Sequence, residues 1–255
     1  MDQAALPGLQ GRLALVYLVA HRDRPVPVDA LARAIWDERL PSSWEGSLRA
    51  LVSKLRRVLR TVAPHADLVV ADSGCYQARL ADAWVDIEVA RNALDRAEGA
   101  WRRGDVSAAW SDATVAAGIT ARPVLAGVDL GWVEQLRGEV ATVWARALDV
   151  LGCAYLAGGQ HAVAAAVAQR LIDAEPFRES AHRLLMRSHL AGGSDGEAVA
   201  VYTRLRERLR EELGVAPSPA TEAVFRQALR PLPADVDGGV GRSVGQQGGE
   251  VAGER

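Results

Sequence analysis

Arg49, Ser53, Arg56 and Arg60 fall at i, i+4, i+7 and i+11, which on a helix makes one stripe of hydrogen-bond donors. Lys54, the only lysine in the chain, and Arg57 flank it. Residues 42–60 carry five basic side chains and one acid, Glu45, a net +4. Leu48, Leu51, Val52, Leu55, Val58 and Leu59 share the other face at helical spacing. A stripe of this kind suits polyanion binding. Arg, Lys and hydroxyl groups hold phosphates, and Arg or Lys can donate to guanine O6 and N7. The bland alternative is a basic face held in water. The stripe alone does not separate the two.

Other patterns are weaker. Gly192 to Gly196 reads "GGSDG", formally G-x-S-x-G. That motif is a nucleophile elbow only between a strand and a helix. Here helical sequence precedes it, and the equivalent stretch one repeat earlier, "GGQHA", has no serine. Ser194 is therefore not expected to be a nucleophile. His182 and His189 stand seven apart without H-E-x-x-H or a carboxylate at ligand spacing. There is no phosphate-binding G-x-x-x-x-G-K-[ST] loop, and Cys75 and Cys153 form no C-x-x-C. No catalytic residue, metal or cofactor is expected, and the chain does not read as an enzyme.

The elements around the stripe decide its meaning. A first helix is expected at about residues 8–22, ended before Pro25. "PVPVDALARAIWDE" predicts a short second helix with Asp29 as N-cap and Leu31, Ala34 and Ile35 buried. Pro41-Ser42-Ser43 opens the third, with Ser42 or Ser43 as N-cap and Glu45 near the positive end of the helix dipole. Leu68–Val70 and Cys75–Leu80 read as strands joined by Asp72-Ser73-Gly74. Three short helices and a hairpin are the order of a winged helix-turn-helix. In such a unit the second helix of the pair enters the major groove.

From Val85 the pattern is helical throughout. "ALDVLGCAYLAGG" (147–159) aligns with "AHRLLMRSHLAGG" (181–193) at an offset of 34 residues, with six of 13 pairs identical. That period is the tetratricopeptide one. Gly158-Gly159 and Gly192-Gly193 stand where helices must end in a left-handed residue. Residues 101–118 suggest a more divergent helical pair. The seven tryptophans are spread singly, and most are expected to anchor helices against one another, with Trp84 and Trp132 as candidates for partner contact. The last 25 residues hold seven glycines and predict a disordered tail. The fold class is thus mostly α. It divides into a winged helix-turn-helix over 1–82, a helical-repeat domain over 85–230 and a tail over 231–255.

Charge follows the same division. Residues 1–80 hold 11 basic and 8 acidic side chains, and residues 81–255 hold 19 and 24. The basic front suits a polyanion and the acidic back suits protein. The start "MDQAALPGLQ" lacks the basic segment of a signal peptide, and "LALVYLVA" is too short to span a bilayer. A soluble, cytoplasmic protein without membrane contact is expected.

These features resemble the SARP family of bacterial transcriptional activators. Val52-Ser53-Lys54-Leu55-Arg56-Arg57-Val58-Leu59 is similar to the recognition-helix run of that family's OmpR-type winged helix. Gly74-Cys75-Tyr76 is similar to its wing. Pro176, Arg178, Glu179, Ala198, Tyr202 and the stretch Glu211 to Pro219 match its bacterial transcriptional activator domain. The resemblance implies double-stranded DNA as ligand. Ser53 and Arg56 would stand at phosphates and Lys54 in the major groove, with Arg49 and Arg57 flanking. Tyr76 would be packed near the wing. It also implies a homodimer on direct repeats, with the helical domain contacting RNA polymerase. One departure stands out. The family places a short sheet before the first helix, and the ten or so residues here do not alternate as strands. Either the start lies further upstream or the sheet is lost, and in the second case the apolar back of helix 1 (Leu13, Leu15, Val16, Leu18 and Val19 in part) is expected to lack its usual cover. The alternative reading is a helical-repeat adaptor whose winged helix is vestigial.

Overall fold

The computed structural model describes residues 6–80 and 83–229. Helix α1 (Gly8–Ala20) leads into a two-residue strand β1 (Val26–Pro27), then α2 (Val28–Trp36) and α3 (Trp44–Val62). A hairpin follows, β2 (Val69–Asp72) and β3 (Cys75–Ala78). The remainder is helical: α4 (Asp86–Arg102), α5 (Val106–Thr120), α6 (Gly131–Ala157), α7 (His161–Ala174), α8 (Glu179–Ala191), α9 (Asp195–Arg208) and α10 (Pro219–Ala228). A π-helical turn, Leu209–Leu213, extends α9. The predicted tail over 231–255 lies outside the described residues.

The front core is built from the predicted apolar faces. Leu13 and Leu18 of α1, Leu31 and Ile35 of α2, and Leu48, Val52 and Leu55 of α3 close on one another. Each such leucine contributes roughly 1.5–3 kcal/mol by leaving water. Val58, expected on the same face, is only half-buried. Asp72 pairs with Cys75, so the hairpin loop is Ser73 and Gly74, with φ of 47° and 75°. Two consecutive left-handed residues give the turn whose twist matches the strands it joins.

Three expectations shift. The first helix stops at Ala20, two residues early. β1 joins the hairpin at an edge, in the order β1-β3-β2, with Val26 opposite Tyr76. Two residues show no alternation, and proline is tolerated on an edge strand. Asp29 lies in the first turn of α2 and is not its N-cap. The Val28 N–H instead donates to the Gly74 carbonyl at 3.1 Å, so the hairpin's turn satisfies the start of α2. Ser43 holds the N-cap position of α3 without a side-chain capping bond.

In the back half the helices pair as α4–α5, α6–α7 and α8–α9, and α4, α6, α8 and α10 stack side by side. The buried faces of α4 and α5 are nearly all alanine (Ala90, Ala93, Ala97; Ala109, Ala113, Ala116), which lets the backbones approach. Gly158 and Gly192 are the C-caps of α6 and α8, and Gly159 and Gly193 both adopt φ of 74°. The 34-residue repeat is therefore a repeat of helix ends as well as of faces. Gly152 departs from it. A Cβ there would stand 2.3 Å from Leu184 Cδ2, so α6 and α8 touch where its equivalent one repeat on, Met186, fills space.

Ion pairs bridge neighbouring stacked helices: Arg91–Glu139 at 2.6 Å, Arg146–Glu98 at 2.7 Å and Arg178–Asp149 at 2.6 Å. Among the described residues, only α6 is long and apolar enough to cross a membrane. Its Val143, Leu148 and Leu151 are buried in the helical core.

Candidate nucleic-acid interface

On α3 the buried and basic faces separate as the spacing predicts. Arg49, Ser53, Lys54, Arg57 and Arg60 are exposed along one side. Their engagements differ. Among the described residues, Lys54 and Arg57 form no ion pair. Arg49 reaches Glu45 at 3.5 Å and Arg60 reaches Asp67 at 3.3 Å. Exposed pairs of this kind contribute at most about 1 kcal/mol and yield readily to a competing phosphate.

Arg56 is different. Its Nε donates to the Val69 carbonyl at 2.8 Å, and its guanidinium lies over the Tyr76 ring, 6.0 Å from the centroid. It is half-buried and ties α3 to the hairpin. Tyr76 is 7% exposed and packed, as expected. The sequence carried no sign of the strut, because Arg56 and Val69 meet only once the hairpin folds back.

Trp132 takes the anchoring role expected of most of the tryptophans. Its Nε1 donates to the Ala34 carbonyl near the end of α2 at 2.9 Å, and its ring meets Tyr17 edge-on at 5.1 Å. Val133 beside it is fully buried in the front core, where Leu125, Val128 and Leu130 also pack. Arg22 extends the junction through an ion pair to Glu88 and a 2.7 Å bond to the Leu80 carbonyl. The helical stack thus helps to cover α1, and the basic stripe is held at a fixed attitude to it. Trp84, the other candidate, is 71% exposed, with its Nε1 on Asp86 at 3.0 Å.

Residues away from the stripe serve structure. Ser194 is the N-cap residue of α9, preceded by α8 and two glycines and not by a strand. His182 is buried and its Nε2 donates to the Pro176 carbonyl at 2.9 Å. Among the described residues, no cluster could hold a metal ion.

Comparison with known proteins assigns the helical stack. Residues 85–229, more than half of the chain, match the model of the bacterial transcriptional activator domain. The chain belongs to this family. The regulatory protein AfsR of Streptomyces coelicolor is 31% identical over 226 residues, covering 88% of this chain and 22% of AfsR. The transcriptional regulatory protein EmbR of Mycobacterium bovis is 28% identical over 229 residues, covering 88% of this chain and 58% of EmbR. The transcriptional regulator RedD of Streptomyces coelicolor is 36% identical over 94 residues, 35% of this chain and 27% of RedD. The solved structure of Mycobacterium tuberculosis EmbR in complex with a low-affinity phosphopeptide superposes with a TM-score of 0.80 at 26% identity. That match covers 88% of this chain and 60% of EmbR. The chain therefore spans about a fifth of AfsR and three fifths of EmbR. These relatives are named as regulatory proteins and transcriptional regulators.

The residues that carry the resemblance have visible tasks in this bacterial transcriptional activator domain. Arg178 bridges α8 to α6 through Asp149. Tyr202 stacks on Phe225 with centroids 3.8 Å apart, joining α9 to α10. Gly214, φ 68°, reverses the chain after the π-helical turn. Glu179 caps α10. It accepts from Thr221 Oγ1 at 2.5 Å, Ser218 Oγ at 2.7 Å and the Ser218 N–H at 2.9 Å. Burial pushes the Glu179 carboxyl up, but the Thr221 and Ser218 hydrogen bonds outweigh it and hold it below the ordinary value. With its folded pKa depressed, ionised Glu179 adds stability that is complete above the unfolded value and lost as pH falls through the folded one. Glu179→Gln is expected to lower the melting temperature at neutral pH. Thermal melts should show the gap from wild type closing as the pH drops below about 4.

Proposed function

We propose that the chain is a sequence-specific, cytoplasmic DNA-binding regulator that activates biosynthetic genes from direct repeats near their promoters. A winged helix-turn-helix domain would carry α3 into the major groove. Lys54 would meet base edges, and Ser53, Arg57, Arg49 and Arg60 would meet phosphates or flank them. The helical domain would hold two protomers together and contact RNA polymerase.

The observation that carries this reading is the exposed stripe on α3, with Lys54 and Arg57 in no ion pair among the described residues and Arg49 and Arg60 in weak surface pairs. Charge and position agree. α3 is the second helix of its pair, a hairpin stands behind it, and this is the helix such units place against DNA. AfsR, named as a regulatory protein, and EmbR, named as a transcriptional regulatory protein, each match 88% of the chain. Footprinting on DNA flanking the chain's own gene tests the proposal. Two protected sites in direct repeat, on one face of the duplex, are expected.

A second reading, the adaptor with a vestigial winged helix, draws support from one feature. Arg56, part of the basic run, is spent on the wing. An absence of protection at any flanking DNA, with the helical domain still binding RNA polymerase, would favour it.

A further inference from the structure

Where α1 meets the helical stack, the two surfaces do not close. A cavity of about 590 Å³ lies between them. Leu15, Val16 and Val19 line it from α1, Leu136 and Val140 from α6, and Val124 from the loop before α6. All six stay half-buried. Fifteen of the seventeen lining residues are apolar. Cavities of this size and character, at the junction of two units, are where small ligands bind.

The two charged residues at the cavity choose the ligand. Asp86 already accepts from Trp84 Nε1. Arg12 borders the cavity from the first half of α1 and has no hydrogen bond or ion pair with any described side chain or carbonyl. An apolar chamber with a guanidinium at its edge that no described residue engages is complementary to an apolar body ending in a carboxylate.

We propose that this cavity binds an apolar monocarboxylic acid, its hydrocarbon part between α1 and α6 and its carboxylate on Arg12. A neutral analogue fills the chamber without the ion pair, and a cationic one meets the wrong charge. The location gives the ligand a route to the basic stripe, since α1 packs against both α2 and α3. The site stands whether or not the stripe binds DNA.

Isothermal titration of the full chain with decanoate, decanol and decyltrimethylammonium, each below its micelle concentration, tests the site. Saturable one-to-one binding of decanoate is expected, with the cationic amphiphile weakest. Arg12→Gln, a surface change that leaves the core intact, should weaken decanoate by about tenfold or more and leave decanol unchanged. Val140→Trp, which fills the chamber, should remove both in a protein whose melt shows it folded. No saturable decanoate binding, or equal decanoate affinity in Arg12→Gln, overturns the proposal. So does a dimer that Leu9→Glu dissociates in sedimentation, since a second copy would then cover this face.

Discussion

Lys54→Ala is expected to cost the specific DNA site about 1–3 kcal/mol relative to nonspecific DNA, the contribution of one good base contact. Lys54 is exposed and forms no ion pair among the described residues, so its loss opens no cavity. Its effect should therefore fall on specificity alone, with an unchanged melting temperature. Arg57→Ala should weaken specific and nonspecific DNA alike and flatten the salt dependence by about one unit. Arg56→Ala should behave unlike either. It removes the bond to the Val69 carbonyl and the contact with Tyr76, so the hairpin loosens from α3. A lost hydrogen bond from a charged group costs about 1.5–3 kcal/mol. A lower melting temperature should accompany its binding defect. Competition binding with specific and random duplexes, read beside thermal melts, separates the three.

Trp132→Ala is expected to have the largest effect on stability. A buried Trp→Ala change costs about 3–5 kcal/mol, and the half-exposed indole here places the loss nearer 2–3. The variant also frees the Ala34 carbonyl and removes the edge-on contact with Tyr17. Because Trp132 and Val133 join the front core to the helical stack, the single cooperative melt should split into two. Trp132→Phe keeps a ring without the N–H. It should cost about 1 kcal/mol and retain one transition. Calorimetry of both variants checks this, and a Trp132→Ala protein melting as wild type would contradict the assigned role.

Periodicity carried much of this architecture. The apolar face of α3 reads directly from Leu48, Leu51, Val52, Leu55 and Leu59, because a helix converts spacing into direction. The glycine pairs marked helix ends because few other residues accept positive φ. What stayed hidden depends on contacts distant in sequence. β1 is too short to have a period, and its partner Tyr76 lies fifty residues away. The carbonyl that starts α2 belongs to Gly74, so capping rules based on neighbouring residues pointed to Asp29 instead. Trp132 sits 98 residues from Ala34, and no local pattern tells a junction tryptophan from a surface one. The basic stripe was legible as a stripe. Which of its arginines remained free was not, since Arg56 is captured by a strand formed later in the chain.

The cover of α1 shows the same limit. Among the described residues no strand precedes α1, and the sequence alone left its apolar back bare. The loop before α6 packs on the front core through Leu125, Val128 and Leu130. What remains open is the cavity beside Arg12.

The most direct measurement is the affinity of the purified chain for footprinted DNA as a function of salt. If the stripe neutralises phosphates, log K should fall linearly with log salt, with a slope of about −0.9 for each phosphate held. The slope should be shallower by about one unit in Arg57→Ala. Binding that does not respond to salt, or a slope that Arg57→Ala leaves unchanged, would contradict the assignment of α3 as the DNA-binding surface.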